Sequence, residues 1–185
     1  MSWPLFDRAL RLVVCRPPLP APATAQARRL ADLFCTLASS QDLVLAGEAE
    51  DEIWALWTSH DDPDLEQRLD RAIRHIAGRE FEPAGRLLDA LLEDRDDYVE
   101  AWNKRATLYF LMERDRESVA DIVRTLELEP RHFGAICGFA QICLRHGRRA
   151  EALAAFESAL VINPHMPGPR SAVDTLNAEF RSTAH

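Results

Sequence analysis

The chain has 185 residues, 47% of them hydrophobic, and a net charge of −8. That composition supports one continuous core and argues against disorder, and no run approaches the ~18 uninterrupted apolar residues of a membrane-spanning helix. The charge is uneven: residues 1–30 carry five arginines and one acid, a net of +4, and the remainder carries a net of −12. An acidic body disfavours nucleic acid, whose phosphates require basic surface.

Residues 1–25 read as an arginine- and proline-bearing tail. Met1 to Val14 is apolar but broken by Asp7, Arg8 and Arg11, and Pro17, Pro18, Pro20 and Pro22 then favour extended chain over helix. Two readings stand. A disordered or loosely docked tail goes with a cytoplasmic protein. A poor export signal, with its apolar stretch over Ala9 to Cys15 and cleavage near Ala23 to Gln26, goes with a periplasmic one.

Residues 26–64 read as a helix pair. Leu30, Leu33, Phe34 and Leu37 make an apolar stripe at helical spacing, predicting a helix over 26–38. Ser39, Ser40 and Asp42 mark a break and offer caps. Ala46, Ala49, Ile53, Leu56 and Trp57 make a second stripe, predicting a helix over 42–58. Trp54 and Trp57 lie three apart on it, and a packing anchor for the first repeat is expected of them rather than a ligand-stacking pair. Asp61, Asp62, Pro63 and Asp64 end the pair and cap the next helix.

From there the chain repeats itself. Trp102, Ala106, Tyr109, Ser118, Ile122, Thr125 and Pro130 stand in phase with Ile136, Ala140, Cys143, Ala152, Phe156, Ala159 and Pro164, each 34 residues later. A fixed step of that length marks stacked helix–turn–helix units. Small residues (Ala106, Ala140, Ser118, Ala152) fall where two helices approach closely, and large ones (Trp102, Tyr109, Phe139, Phe156) fill the neighbouring hollow. Gly147 suits a left-handed turn inside a pair, while Pro130 and Pro164 end the second helix of each pair. A weaker copy spans about Leu65 to Asp96. There Ala72, Ala84, Leu88 and Leu91 keep phase, but Arg68 and Asp96 replace the tryptophan and the proline.

The expected helices are 65–77, 81–94, 99–112, 115–128, 133–145 and 149–162, in repeats of about 65–98, 99–132 and 133–166. A last helix over 169–181, opened by Pro167 and Pro169, turns Val173, Leu176 and Phe180 toward the last pair, in a cap over 167–181. Strand signals are nearly absent, so an all-α fold follows.

The blocks Tyr98 to Pro130 and His132 to Pro164 resemble the tetratricopeptide repeat, whose pattern runs W-x2-L-G-x2-Y, then Ala, Phe, Ala and Pro. Arg105 stands for the usual leucine, Ala106 and Ala140 for glycine, and Cys143 for the tyrosine. The runs Ala101 to Leu111, Leu128 to Ala135 and Ile53 to Trp57 also resemble a group of small tetratricopeptide proteins common in alphaproteobacteria, many of which carry an export signal. The resemblance implies an all-α solenoid of helical hairpins, with an N-terminal helical extension and a C-terminal capping helix. It also implies a protein or peptide partner, bound as a peptide or as a partner helix, in a concave groove lined by the first helix of each pair.

The positions matching that groove are Glu100, Asn103, Thr107, Phe110 and Leu111 in one repeat. Gly134, Cys137, Gln141, Leu144 and Arg145 match it in the next, and Leu69, Ile73 and Ile76 in the degenerate one. Asn103 and Gln141 suit a peptide backbone, which has donors and acceptors to satisfy, and Phe110 and Leu144 suit side chains. Alternatively, Phe110, Leu111 and Leu144 pack on the N-terminal segment or the C-terminal helix. Family members that hold acidic chaperone tails use a clamp of lysine, arginine and asparagine. The corresponding residues here are Leu69, Ile73, Asn103, Thr107, Cys137 and Gln141, and only Asn103 fits, so no carboxylate clamp is expected.

No catalytic or metal-binding pattern emerges. The six histidines lack ligand spacing, and Cys15, Cys35, Cys137 and Cys143 form no C-x2-C pair. No cofactor or metal is expected. The readings that remain are a non-catalytic binding module and a structural or assembly subunit that uses its outer faces and N-terminal tail.

Overall fold

The early helices start where a side chain satisfies a free N–H group of the first turn. In a computed structural model, Thr24 accepts from Ala27 N–H at 3.0 Å, Asp42 from Val44 N–H at 2.9 Å, and Asp62 from Asp64 N–H at 2.9 Å. The structure describes residues 4–15 and 21–183, so Arg16, Pro17, Pro18 and Pro20 of the proline-rich segment lie outside the described residues. The described residues form ten helices and no strand: α1 Pro4–Cys15, α2 Ala25–Ser39, α3 Leu43–Thr58, α4 Pro63–Ala77, α5 Phe81–Asp94, α6 Val99–Leu111, α7 Asp115–Leu128, α8 Phe133–Arg145, α9 Arg149–Ile162 and α10 Pro167–Thr183. Helices α4 and α10 start two residues before their predicted bounds. Pro63 and Pro167 each occupy a first-turn position, where a missing N–H costs nothing.

The 34-residue step is written into the backbone. The same three hydrogen bonds close each intra-pair turn, as in Glu80 N–H to His75 O, Arg114 N–H to Tyr109 O and Arg148 N–H to Cys143 O, all at 2.8 Å. The left-handed residue of that turn is Arg79, Glu113 and Gly147 in successive pairs, with φ of 59°, 59° and 69°. Only the third is the glycine that the conformation favours. The α4–α5 pair therefore shares the geometry of its successors despite its weaker sequence match.

Two apolar clusters hold the molecule together. One joins α4 and α5 to α6 through Leu65, Leu69, Ala72, Leu88, Leu91 and Leu108. The other runs through the later pairs and takes in α1, α2 and α3. Arg105, standing where leucine is usual, bridges the first two pairs. It donates to Asp121 at 2.7 Å and to Asp89 at 2.8 Å, with its guanidinium over the Trp102 ring.

The N-terminal segment is structured where it is described. Helix α1 lies on the second helices α7 and α9, with Phe6, Ala9 and Val13 buried in one stripe. Phe6 meets the Phe139 ring at 4.8 Å, Arg148 covers its other side, and Ser158 Oγ donates to Val13 O at 2.7 Å. Arg8 is paired with Glu127.

The α2–α3 hairpin runs along the edge formed by the inter-pair turns. Tyr98 OH donates to Thr58 O, the Arg131 guanidinium covers Phe34, and His165 Nε2 lies 3.1 Å from Leu37 O. The tryptophans anchor this hairpin at the α7–α8 turn rather than against the first pair. Trp57 stacks on His132 with ring centres 4.0 Å apart and planes at 12°, and Trp54 meets Phe133 edge-on at 5.2 Å. At the far end, Leu176 of α10 is buried, whereas Phe180, expected against the last pair, is 38% exposed.

Candidate functional site: the face of the first helices

The first helices of successive pairs, α4, α6 and α8, lie side by side. Because α1 lies on α7 and α9, it leaves this face uncovered. Helix α3 closes one end of it. Trp54 sits over Gly134, where an added Cβ would lie 2.8 Å from the indole, so this close approach requires glycine. The Lys104 ammonium lies 5.5 Å from the Trp54 ring centre.

Beneath that closure is a buried polar network. Glu100 is fully enclosed. Its carboxylate meets Lys104 Nζ at 2.8 Å, Asn103 Nδ2 at 3.0 Å and His132 Nε2 at 2.9 Å. His132 Nδ1 accepts from Ala135 N–H at 3.1 Å, which caps α8 and makes Nε2 the donor to Glu100. Burial alone would raise the Glu100 pKa. The His132 hydrogen bond and the Lys104 charge more than offset burial and hold it below the ordinary carboxylate range. Glu100 thus works inside the fold, and it fixes the orientation of Asn103. With Nδ2 committed to a carboxylate that can only accept, Asn103 keeps Oδ1 as its acceptor for the hollow it lines.

The remaining groove positions divide by exposure. Thr107, Gln141 and Leu111 are exposed. Phe110 is half-buried beneath Arg145, whose guanidinium lies 3.8 Å from the ring centre. The same guanidinium donates to Phe110 O at 3.1 Å and to Asp115 at 2.6 Å, so the one cation of the set is tied down at the rim. Cys137 is half-buried, and burial pushes its thiol up to about 12, which leaves it an inert small group at neutral pH. Leu144 lies beside α10, lining a second hollow with Ser171 and Thr175. In the degenerate repeat Leu69 is buried, and Ile73 and Ile76 are half-buried in the first-pair cluster.

The sequence reading missed two contributions. Ser171 and Thr175 belong to a helix read only as a cap, although Pro167 stands 34 residues after Phe133 and places α10 in phase as a fourth first helix. The floor between α6 and α8 was also missed. There, a hollow of about 100 Å³ opens among Ala106, Thr107, Phe110, Ile122, Gly138 and Gln141. Among the described residues, no group of three histidines, cysteines or acids is placed to hold a metal ion, and no helix is long and apolar enough to cross a membrane.

No family model matches this chain. A curated protein described as a TPR repeat-containing protein of Rhizobium etli is 34% identical over 150 residues, spanning 81% of this chain and 72% of that protein. The DnaJ homolog subfamily C member 3 of Rattus norvegicus is 32% identical over 94 residues, 47% of this chain but 18% of its own length. Two solved structures of MamA, the MSR-1 and AMB-1 forms, superpose with TM-scores of 0.53 and 0.52 at 18% and 17% identity. They cover 85% and 84% of this chain and 87% and 82% of their own. At that identity MamA speaks to the fold alone, a helical solenoid of the same kind. Helical repeats of this type generally mediate contacts between proteins. With the period repeated in sequence and in backbone hydrogen bonds, and a TPR repeat-containing protein matched along most of both chains, the chain belongs to the tetratricopeptide repeat proteins.

Proposed function

We propose that the protein is a non-catalytic scaffold that holds a segment of a partner protein along the face formed by α6, α8 and α10. The observation that carries this reading is that, among the described residues, the middle of that face is uncovered. Helix α3 occupies only one end of it, and α1 spends its apolar stripe on the opposite side. The groups left there suit a main chain. Asn103 offers an acceptor, Gln141 an exposed amide, and Ser171 and Thr175 hydroxyls, with no uncompensated charge to demand an ionic ligand. An extended segment fits this pattern better than a helix, whose backbone groups are already satisfied.

The test is capture from the native cell with the tagged full-length chain, compared with a chain carrying Asn103→Ala, Phe110→Ala and Gln141→Ala together. Partners lost by the triple variant support the groove. If all of them stay bound, groove recognition is wrong.

One observation favours a second reading, assembly through an outer face. Leu43 and Val44, at the start of α3, are 72% and 70% exposed and are followed by the exposed Leu45. Changing these three to serine would release partners held there and leave groove partners untouched.

A further inference from the structure

Gly138 is a helix-interior glycine that the fold does not need. It lies in the middle of α8, where glycine weakens a helix relative to alanine. Its φ is not in the left-handed region, and a Cβ built on it would meet only Ile122 Cδ1 at 3.8 Å, an ordinary contact. Neither turn geometry nor close packing accounts for it, in contrast to Gly134 beneath Trp54. The missing side chain opens the hollow of about 100 Å³ on the groove floor.

The chemistry of that hollow is specific. Two of its hydroxyls are turned to the backbone: Ser118 Oγ donates to Ala106 O at 2.8 Å and Thr107 Oγ1 to Asn103 O at 3.0 Å. Carbon therefore dominates the walls, supplied by Ala106, Ile122 and Phe110, the last held in place by Arg145. The buried Asn103, with Oδ1 left as an acceptor, and the exposed Gln141 complete the lining. An apolar cavity of about 150 Å³ takes benzene, with six carbons. In proportion, this hollow takes about four, the size of an isobutyl or isopropyl group.

We propose that this hollow is the anchor subsite of the groove. It receives a single leucine- or valine-type side chain of the bound segment, whose flanking peptide groups meet Asn103 and Gln141. The proposal rests on the groove reading above and adds the partner's chemistry: one branched aliphatic residue in an otherwise polar, uncharged stretch. Charged and indole side chains are excluded by the walls and by size.

The probe is N-acetyl-leucine methylamide, one such side chain between two peptide groups, titrated into the isotope-labelled full-length chain and followed by NMR. The backbone signals of Gly134 and Gly138 and the side-chain amide of Asn103 are expected to shift and saturate at roughly millimolar concentration, as suits so small a ligand. The alanine analogue is expected to bind at least about tenfold more weakly, since it fills less of the hollow, and the tryptophan analogue to leave these signals in place. Gly138→Val should abolish the leucine shifts. Gly138→Ala, which the ordinary contact with Ile122 tolerates, should weaken them severalfold in a chain that melts no earlier than the parent. The proposal is overturned if the leucine probe moves none of these signals, if the three probes act alike, or if Gly138→Ala leaves the response unchanged. Its failure is separable from that of the groove reading. Partners lost by the triple groove variant but indifferent to Gly138→Ala would sink the anchor alone. A leucine response together with partners indifferent to the triple variant would sink the groove and keep the pocket.

Discussion

The α4–α5 pair and the α6–α9 pairs share one backbone plan but not one setting. The first pair packs its own cluster and touches the rest through α6. The later pairs are covered on one side by α1, braced along their turns by the α2–α3 hairpin, and share a single apolar cluster with all three. In a repeat array, stability is roughly the sum of each unit and its interfaces, so an added interface raises the units it touches and leaves the others behind. The N-terminal helices therefore set up a gradient, with the groove-bearing pairs firm and the first pair the unit that opens most easily. A groove floor that must keep its shape sits in the firm part.

The sharpest way to break this difference is to remove the brace. Trp57 contacts His132, Phe133, Phe34 and Trp54 and is 6% exposed. Trp57→Ala is expected to cost about 3–5 kcal/mol in urea unfolding. Hydrogen exchange should quicken in α2, α3 and α6 to α9 and change little in α4 and α5. Equal loss of protection everywhere would mean that the two regions are a single cooperative unit.

The opposite substitution comes next. Leu88 is fully buried in the first-pair cluster. Leu88→Ala should cost about 2–5 kcal/mol. The loss should appear as faster exchange confined to residues 63–94, with α8 and α9 retaining their protection.

Acid provides a smaller and more selective probe of the braced region. The folded-state pKa of Glu100 lies below its ordinary value of 4.5. The linked stability is therefore present above pH 4.5 and is lost as pH falls through the folded value. Glu100→Gln should remove that part of the acid limb. At neutral pH it should cost about 1–3 kcal/mol, because Lys104 and Asn103 lose a charged acceptor. Urea midpoints measured at a series of pH values would show parallel curves for the two proteins if the network does not carry this linkage.

Much of this arrangement could be read from residues alone. The apolar stripes and the 34-residue step located all nine helices from residue 26 onward, because helix periodicity and turn residues are local signals. The first segment was harder. Phe6, Ala9 and Val13 form a helical stripe in the sequence, but their destination is a face of α7 and α9 that exists only once those helices are stacked. Trp54 and Trp57 were legible as anchors. Their partner was not, since His132 follows a proline turn and gives no sign of being a stacking surface. At the groove, spacing brought Asn103, Thr107, Phe110 and Gln141 to one hollow. Spacing could not show that Glu100 is sealed under α3, because that depends on where a hairpin some forty residues upstream comes to rest. Gly138 carried a signal that went unread: a helix-interior glycine with no turn to serve.

The smallest expected effect uses the one place where the pairs differ in residue but not in backbone. Glu113 holds φ at 59° in the turn where the next pair has Gly147 at 69°. A side chain in that conformation costs about 1–2 kcal/mol, and glycine regains this but gives back part of it through a more flexible unfolded chain. Glu113→Gly should therefore stabilise by at most about 1 kcal/mol, seen as a higher urea midpoint with an unchanged slope. Arg79→Gly relieves the same strain in the first pair, while giving up the guanidinium that lies over Phe81. If the first pair opens on its own, this second change slows exchange in α4 and α5 without moving the midpoint of the main transition. If both substitutions raise that midpoint alike, the gradient between the regions does not exist.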